Sequence, residues 1–308
     1  MADCSHEIFN FFLIIKMRTA MFQNLMNFFA SSRGVDVFWS PLAVTVIGGI
    51  FLAIILKDKS KTQENNHKLT GSTIGEVTRL IAEELDKRPK HSSNTVSRRS
   101  NSNRRGDDNA IVFFVGALFF LAIGYAKHQN QVLDYSVIAA TSLFGFWMAT
   151  LVFSLIQGTI SGTGWTIYAF TVSILSLLAL PILYLSLSPL YAPDGIINLQ
   201  QVAIDRGLIG LIKEYRAEGM IFLVFQVMGF AVLYGSWIFI LLTLVHMTSS
   251  TLVVTGVTGR TFWLWLSIRT SKFANPVKAT LIVTILYVIS FVFISGLAYE
   301  WWRPANSF

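Results

Sequence analysis

The chain holds one cysteine, Cys4, in 308 residues. An internal disulfide or a thiol-based redox relay needs two, so both are excluded. Charge is the next scarcity: Asp, Glu, Lys and Arg together make up 13% of the chain, against roughly 25% in soluble domains. Histidine is sparse and scattered, at positions His6, His67, His91, His128 and His246, with no i, i+4 pair. Metal binding needs such donors to converge, and no Gly-rich run cradles phosphate ahead of a helix. Neither a metal nor a cofactor is expected, and an ATPase is excluded.

What the chain has in quantity is apolar length. Hydrophobic residues account for 53% of it. They gather in six stretches, over Val37–Leu56, Ala110–Ala126, Val132–Gly158, Trp165–Ser188, Gly219–His246 and Val277–Tyr299. A bilayer core about 30 Å thick is crossed by about 20 apolar residues in a helix, so each stretch is long enough or nearly so. The expected fold is all-α: a polytopic transmembrane bundle of about six spans with amphipathic interfacial helices. Soluble-domain arithmetic, which would divide this length in two, does not apply to one intramembrane bundle.

The remaining charge is distributed unevenly. Lys57–Asn109 carries twelve of the 24 Lys and Arg residues, and basic loops are retained on the cytoplasmic side during insertion. This places residues 57–109 inside and, by alternation over six spans, both termini outside. The N-terminal segment opposes this with Lys16, Arg18 and Arg33, fewer cations than the loop holds. Leu190–Glu218 falls outside with no basic excess, and Thr248–Pro276 falls inside with Arg260, Arg269 and Lys272. Trp39, Trp165, Tyr184, Tyr191, Trp301 and Trp302 stand near span ends, where amphipathic rings meet headgroups. Trp147 lies mid-span and reads as a packing residue.

The expected organisation is an N-terminal interfacial segment (1–36), a first span (37–56), the basic loop (57–109), a five-span bundle (110–299) with an outer amphipathic loop (190–218), and a tail (300–308). Ile8–Ala30 is apolar but holds Lys16 and Arg18 centrally, which favours a surface-lying helix over a span. In the basic loop Thr73 and Glu76 form a capping-box pattern, followed by Ile74, Val77, Ile81 and Leu85 at helical spacing. This predicts one amphipathic docking helix over 74–88. The polar run after it, 89–109, is expected to stay disordered. Its Arg98, Arg99, Arg104 and Arg105, like Arg260 and Arg269, suit anionic lipid headgroups, and nucleic acid is not expected as a partner.

Two patterns suggest chemistry and neither completes it. Glu83, Glu84 and Arg88 have the Glu-Glu-x-x-x-Arg spacing of the intramembrane proteases that trim prenylated tails. That chemistry also needs two His-bearing motifs on membrane helices, and Phe-x-x-x-His does not occur. Ser161-Gly162 resembles the nucleophile turn of rhomboid-type serine proteases, but Thr159 stands where Gly is wanted and His246 is the sole candidate base. The spans are nearly empty of charge apart from Asp134, so an ion-coupled carrier, which leaves charges in the bundle, is disfavoured.

Packing signals are clearer. Ser136 and Ala140, then Gly145 and Ala149, place small residues four apart on two faces of the third span, which permits close approach on both sides. That span is expected at the hub. Pro181 is expected to kink the fourth span, Gly229 and Gly235 to admit close neighbours, and Gln157, Gln226 and Ser236 to bond between helices. The reading is a bacterial inner-membrane protein without an enzymatic site, a subunit that meets the bilayer, anionic headgroups and other protein subunits. A pore or membrane-permeabilising effector is the alternative, and a lipid-handling enzyme the third.

Overall fold

The computed structural model describes residues 107–156, 163–193, 196, 199–254 and 260–305, together with 23, 26–27, 30–31, 40, 42–44 and 47. Among them every regular element is helical and no strand occurs. The helices are α1 (Asp107–Lys127), α2 (Gln129–Ile156), α3 (Thr163–Leu185), α4 (Leu199–Val254), α5 (Arg260–Arg269), α6 (Pro276–Ile294) and α7 (Leu297–Ala305). The docking-helix residues Ile74, Val77, Ile81 and Leu85 and the cations Arg98, Arg99, Arg104 and Arg105 lie outside the described residues.

Four helical segments are long and apolar enough to cross a membrane: Gln129–Val152, Thr163–Leu185, Ile209–Val253 and Pro276–Ile294. The chain is therefore a membrane protein with an all-helical fold. Of the other two expected spans, the second gives the apolar run Gly116–Lys127 of α1. In the first, Leu42 rests against the core, and most of the rest lies outside the described residues.

The centre belongs to α4, not to α2. Helices α1, α2, α5 and α6 all pack on α4, while α3 is held by α2 and α6. Directions follow from paired residues. Trp147 of α2 donates Nε1–H to Ser173 Oγ of α3 at 3.0 Å, and its ring meets Tyr168 edge-on. Trp237 of α4 donates likewise to Tyr287 of α6 at 3.0 Å. Tyr125 of α1 packs on Phe230 of α4. Lipid tails are as apolar as leucine, so these contacts rest on close fit and hydrogen bonds more than on water exclusion.

Closest fit occurs at Gly229. A Cβ there would lie 2.6 Å from Ile294 Cγ1 and 3.1 Å from the Ile294 backbone nitrogen. The absent side chain lets α6 approach until Ser290 Oγ donates to the Gly229 carbonyl at 3.0 Å. Gly235 faces open space, so only one of the two expected contacts exists. Ser136, Ala140, Gly145 and Ala149 are all buried, and Ser136 shares a hydrogen bond with the Tyr234 hydroxyl of α4. Pro181 sits inside α3 one turn before its end, where the missing N–H removes one rung.

At about 1.5 Å per residue, the unbroken part of α4, residues 217–254, runs about 57 Å, nearly twice a bilayer core. It therefore extends well past the hydrocarbon. The N-terminal part of α4 is broken at Gly207 (φ 61°, ψ −159°) and at Arg216 (φ 53°, ψ −168°). Before the first break Leu199 and Ala203 are buried, and between the two Leu211 and Tyr215, whereas Ile204, Ile209 and Ile212 are exposed beside charged residues. Such faces suit the headgroup boundary.

Candidate functional site

Polar side chains collect at two levels along α4. At the Gln226 end, α3 stops at Leu185 and the next carbonyl, that of Ser186, has no rung to join. Two side-chain amides supply its partners: Gln129 Nε2 of α2 at 3.0 Å and Gln226 Nε2 of α4 at 3.3 Å. One backbone oxygen thus ties three helices. Nearby, Tyr191 N–H donates to the Ser295 carbonyl at 3.1 Å, fixing the chain after α3 to the end of α6. Gly296 follows with φ 83°, and a Cβ on it would overlap the Tyr191 carbonyl oxygen. This turn directs α7 back along α4, where Tyr299 packs on Phe222 and donates to Glu218 Oε2 at 3.4 Å. Burial raises the Tyr299 phenol above its usual range, and the Glu218 charge adds to that.

At the other end, α4 continues through His246 to Val254 and α5 folds back against it. Ser250 and Ser267 share a hydrogen bond at 2.9 Å, and His246 Nδ1 meets Thr270 Oγ1 at 3.1 Å. Residues rising along α4 therefore meet residues falling along α5, an antiparallel hairpin. All four side chains are buried. Thr270 Oγ1 also donates to the Leu266 carbonyl at 2.8 Å. Which of the pair donates in the His246–Thr270 contact depends on the imidazole tautomer, and Nε2 has no hydrogen-bond partner among the described residues.

Ser161, the serine considered as a nucleophile, lies outside the described residues, as does Gln157. Among the described residues no group of three His, Cys, Asp or Glu side chains is placed to hold a metal ion. Sequence reasoning missed the hydroxyl seam of Ser249, Ser250, Thr251, Ser267 and Thr270. The signal was present in the unbroken run Thr248, Ser249, Ser250, Thr251 of small polar residues, but it reads equally well as a loop.

The outer face of the hairpin is different in kind. Arg260 opens α5, and Phe262, Trp265, Arg269 and Lys272 are exposed. The rings of Phe262 and Trp265 stack at 6.2 Å and 29°. No Asp or Glu occurs between Glu218 and Glu300, so the hairpin itself carries cations alone. At the Gln226 end both signs occur, including the exposed Arg206–Glu214 pair at 2.8 Å. No protein-family description, characterised protein or solved structure matches the chain.

Proposed function

We propose that the chain is a multi-pass subunit of a bacterial inner-membrane assembly, a scaffold without a reaction centre of its own. The observation that supports this is how its interior is filled. Side chains buried along α4 are bonded to neighbouring helices or to backbone at Gln226, Trp237, Ser250 and His246. Within the four segments the charged residues are Asp134, Lys213, Glu214, Arg216, Glu218 and Lys278, each within about three turns of a segment start. Carriers coupled to ions keep such charges deep inside. A helix that outruns the bilayer at both ends offers partners a surface on either side.

On this reading the basic loop 57–109 is cytoplasmic, its helix over 74–88 docks a second subunit, and both termini face outward. The experiment extracts the tagged full chain from native membranes in polymer discs and measures the mass and composition of the particle. A second chain at fixed stoichiometry, lost when Val77 and Ile81 are both replaced by Asp, supports the scaffold. A particle of this chain alone overturns it. The polar seam along α4 favours a second reading, a closed pore. Proteoliposomes containing only this chain separate the two: dye or ion leakage supports the pore, and tight vesicles the scaffold.

A further inference from the structure

We propose that the exposed stripe of the α4–α5 hairpin, Phe262, Trp265, Arg269 and Lys272, is a binding surface for anionic lipid headgroups. This rests on the chain being a membrane protein and not on its being a subunit of an assembly. Phe262, Trp265 and Arg269 are separated by three and four residues, so they follow one line along α5, and Lys272 follows in the 3-10 turn Ser271–Phe273. Their opposite side is occupied: Ser267 and Thr270 are buried against Ser250 and His246. The hydroxyl seam therefore sets the roll of α5 and turns the stripe away from the protein.

The membrane is close by. Three residues beyond Lys272, Asn275 caps α6 by accepting from Lys278 N–H at 3.1 Å, and Pro276 begins a segment apolar enough to span. The start of α3 lies at the same level, since a Cβ on Gly164 would come within 3.1 Å of Pro276 Cγ. Lys278 is exposed on the first turn of α6. Arg269, Lys272 and Lys278 thus stand where two apolar helices enter the bilayer, and the stacked Phe262–Trp265 pair lies one to two turns farther along α5.

Charge decides the lipid class. From Glu218 to Glu300 the chain has no carboxylate to neutralise these cations, and no ion pair involves Arg269 or Lys272 among the described residues. On this exposed face anionic headgroups would supply the counter-charge that the hairpin itself lacks. Aromatic rings beside cations at a span entrance match the acyl–phosphate boundary, where ring faces meet hydrocarbon and cations meet phosphate. An acidic protein would satisfy the charge but not the depth of the stripe.

The test uses the purified full chain in nanodiscs of phosphatidylcholine mixed with phosphatidylglycerol, reading the lipids retained after delipidation by native mass spectrometry. The parent is expected to retain phosphatidylglycerol selectively, with the selectivity falling at high salt. Replacing Arg269 and Lys272 by Gln is expected to reduce it about 25-fold, near fivefold for each cation. The double variant Arg206→Gln, Lys213→Gln, at the other end of α4, is expected to retain it. Equal retention of both lipids by the parent, or unchanged selectivity in Arg269→Gln, Lys272→Gln, overturns the proposal. Should that variant fail to fold, salt-insensitive selectivity in the parent overturns it equally. Loss of a stoichiometric protein partner with lipid selectivity intact would assign the stripe to a protein instead.

Discussion

The two ends of α4 are fastened by opposite means. At the Gln226 end, Tyr299–Glu218 apart, backbone meets backbone or side chain meets backbone: Ser186, Ser295, Tyr191 and Gly229 contribute main-chain atoms. At the His246 end hydroxyls and an imidazole meet side chain to side chain. A main-chain contact leaves no rotamer to adjust, so its geometry is set by what is missing, as at Gly229 and Gly296. A pair of hydroxyls can rotate, accept water or turn back to its own helix. The first end should therefore tolerate no added bulk, and the second should tolerate loss of a partner.

Substitutions can break that contrast, and the severest is Gly296→Val. Both φ 83° and overlap with Tyr191 oppose it, for a cost of about 3–5 kcal/mol. Thermal unfolding in detergent should find little folded protein, and near-parental melting would show that the turn is not constrained. Gly229→Leu should cost about 2–4 kcal/mol by wedging α6 away. Gly235→Ala serves as its counterpart, because open space and better helix propensity should make it neutral or up to about 1 kcal/mol stabilising.

A smaller effect sharpens the other side of the comparison. Ser250→Ala or Ser267→Ala alone strands one buried hydroxyl, at about 1 kcal/mol each, while the double variant should come close to the parent. A cycle with no coupling would mean that the seam does not join α5 to α4. Arg216→Gly should relieve a backbone conformation that favours glycine and raise stability by about 1 kcal/mol. The weakest change is Arg206→Ala: its exposed pair with Glu214 should be worth at most about 1 kcal/mol and vanish in salt.

The membrane-spanning character and all-helical class were legible because apolar length and scarce charge report directly on solvent. Trp147 as a packing residue and Gln226 as an interhelical donor were legible too, since a polar group in an apolar span must find a partner. The hub was not. Small residues on α2 mark where neighbours can approach, and Ser136 does meet Tyr234, but spacing on one helix cannot say which helix the others share. The length of α4 was hidden by its Ser and Thr residues. Ser249 and Thr251 donate to the carbonyls of His246 and Met247 on their own helix. Hydroxyls that turn back this way let a helix continue through a sequence that reads as a loop.

No residue of α4 from Ala217 to Val254 departs from helical dihedrals, so its two fastenings belong to one stiff shaft without a swivel. Torque applied to the hairpin is delivered to the Gln226 amide beneath the Ser186 carbonyl, because nothing between them can absorb a twist. Gly229, clasped by Ile294 and Ser290, acts as the bearing on that shaft. A twist imposed at the hairpin is expected to arrive at the Gln226 level.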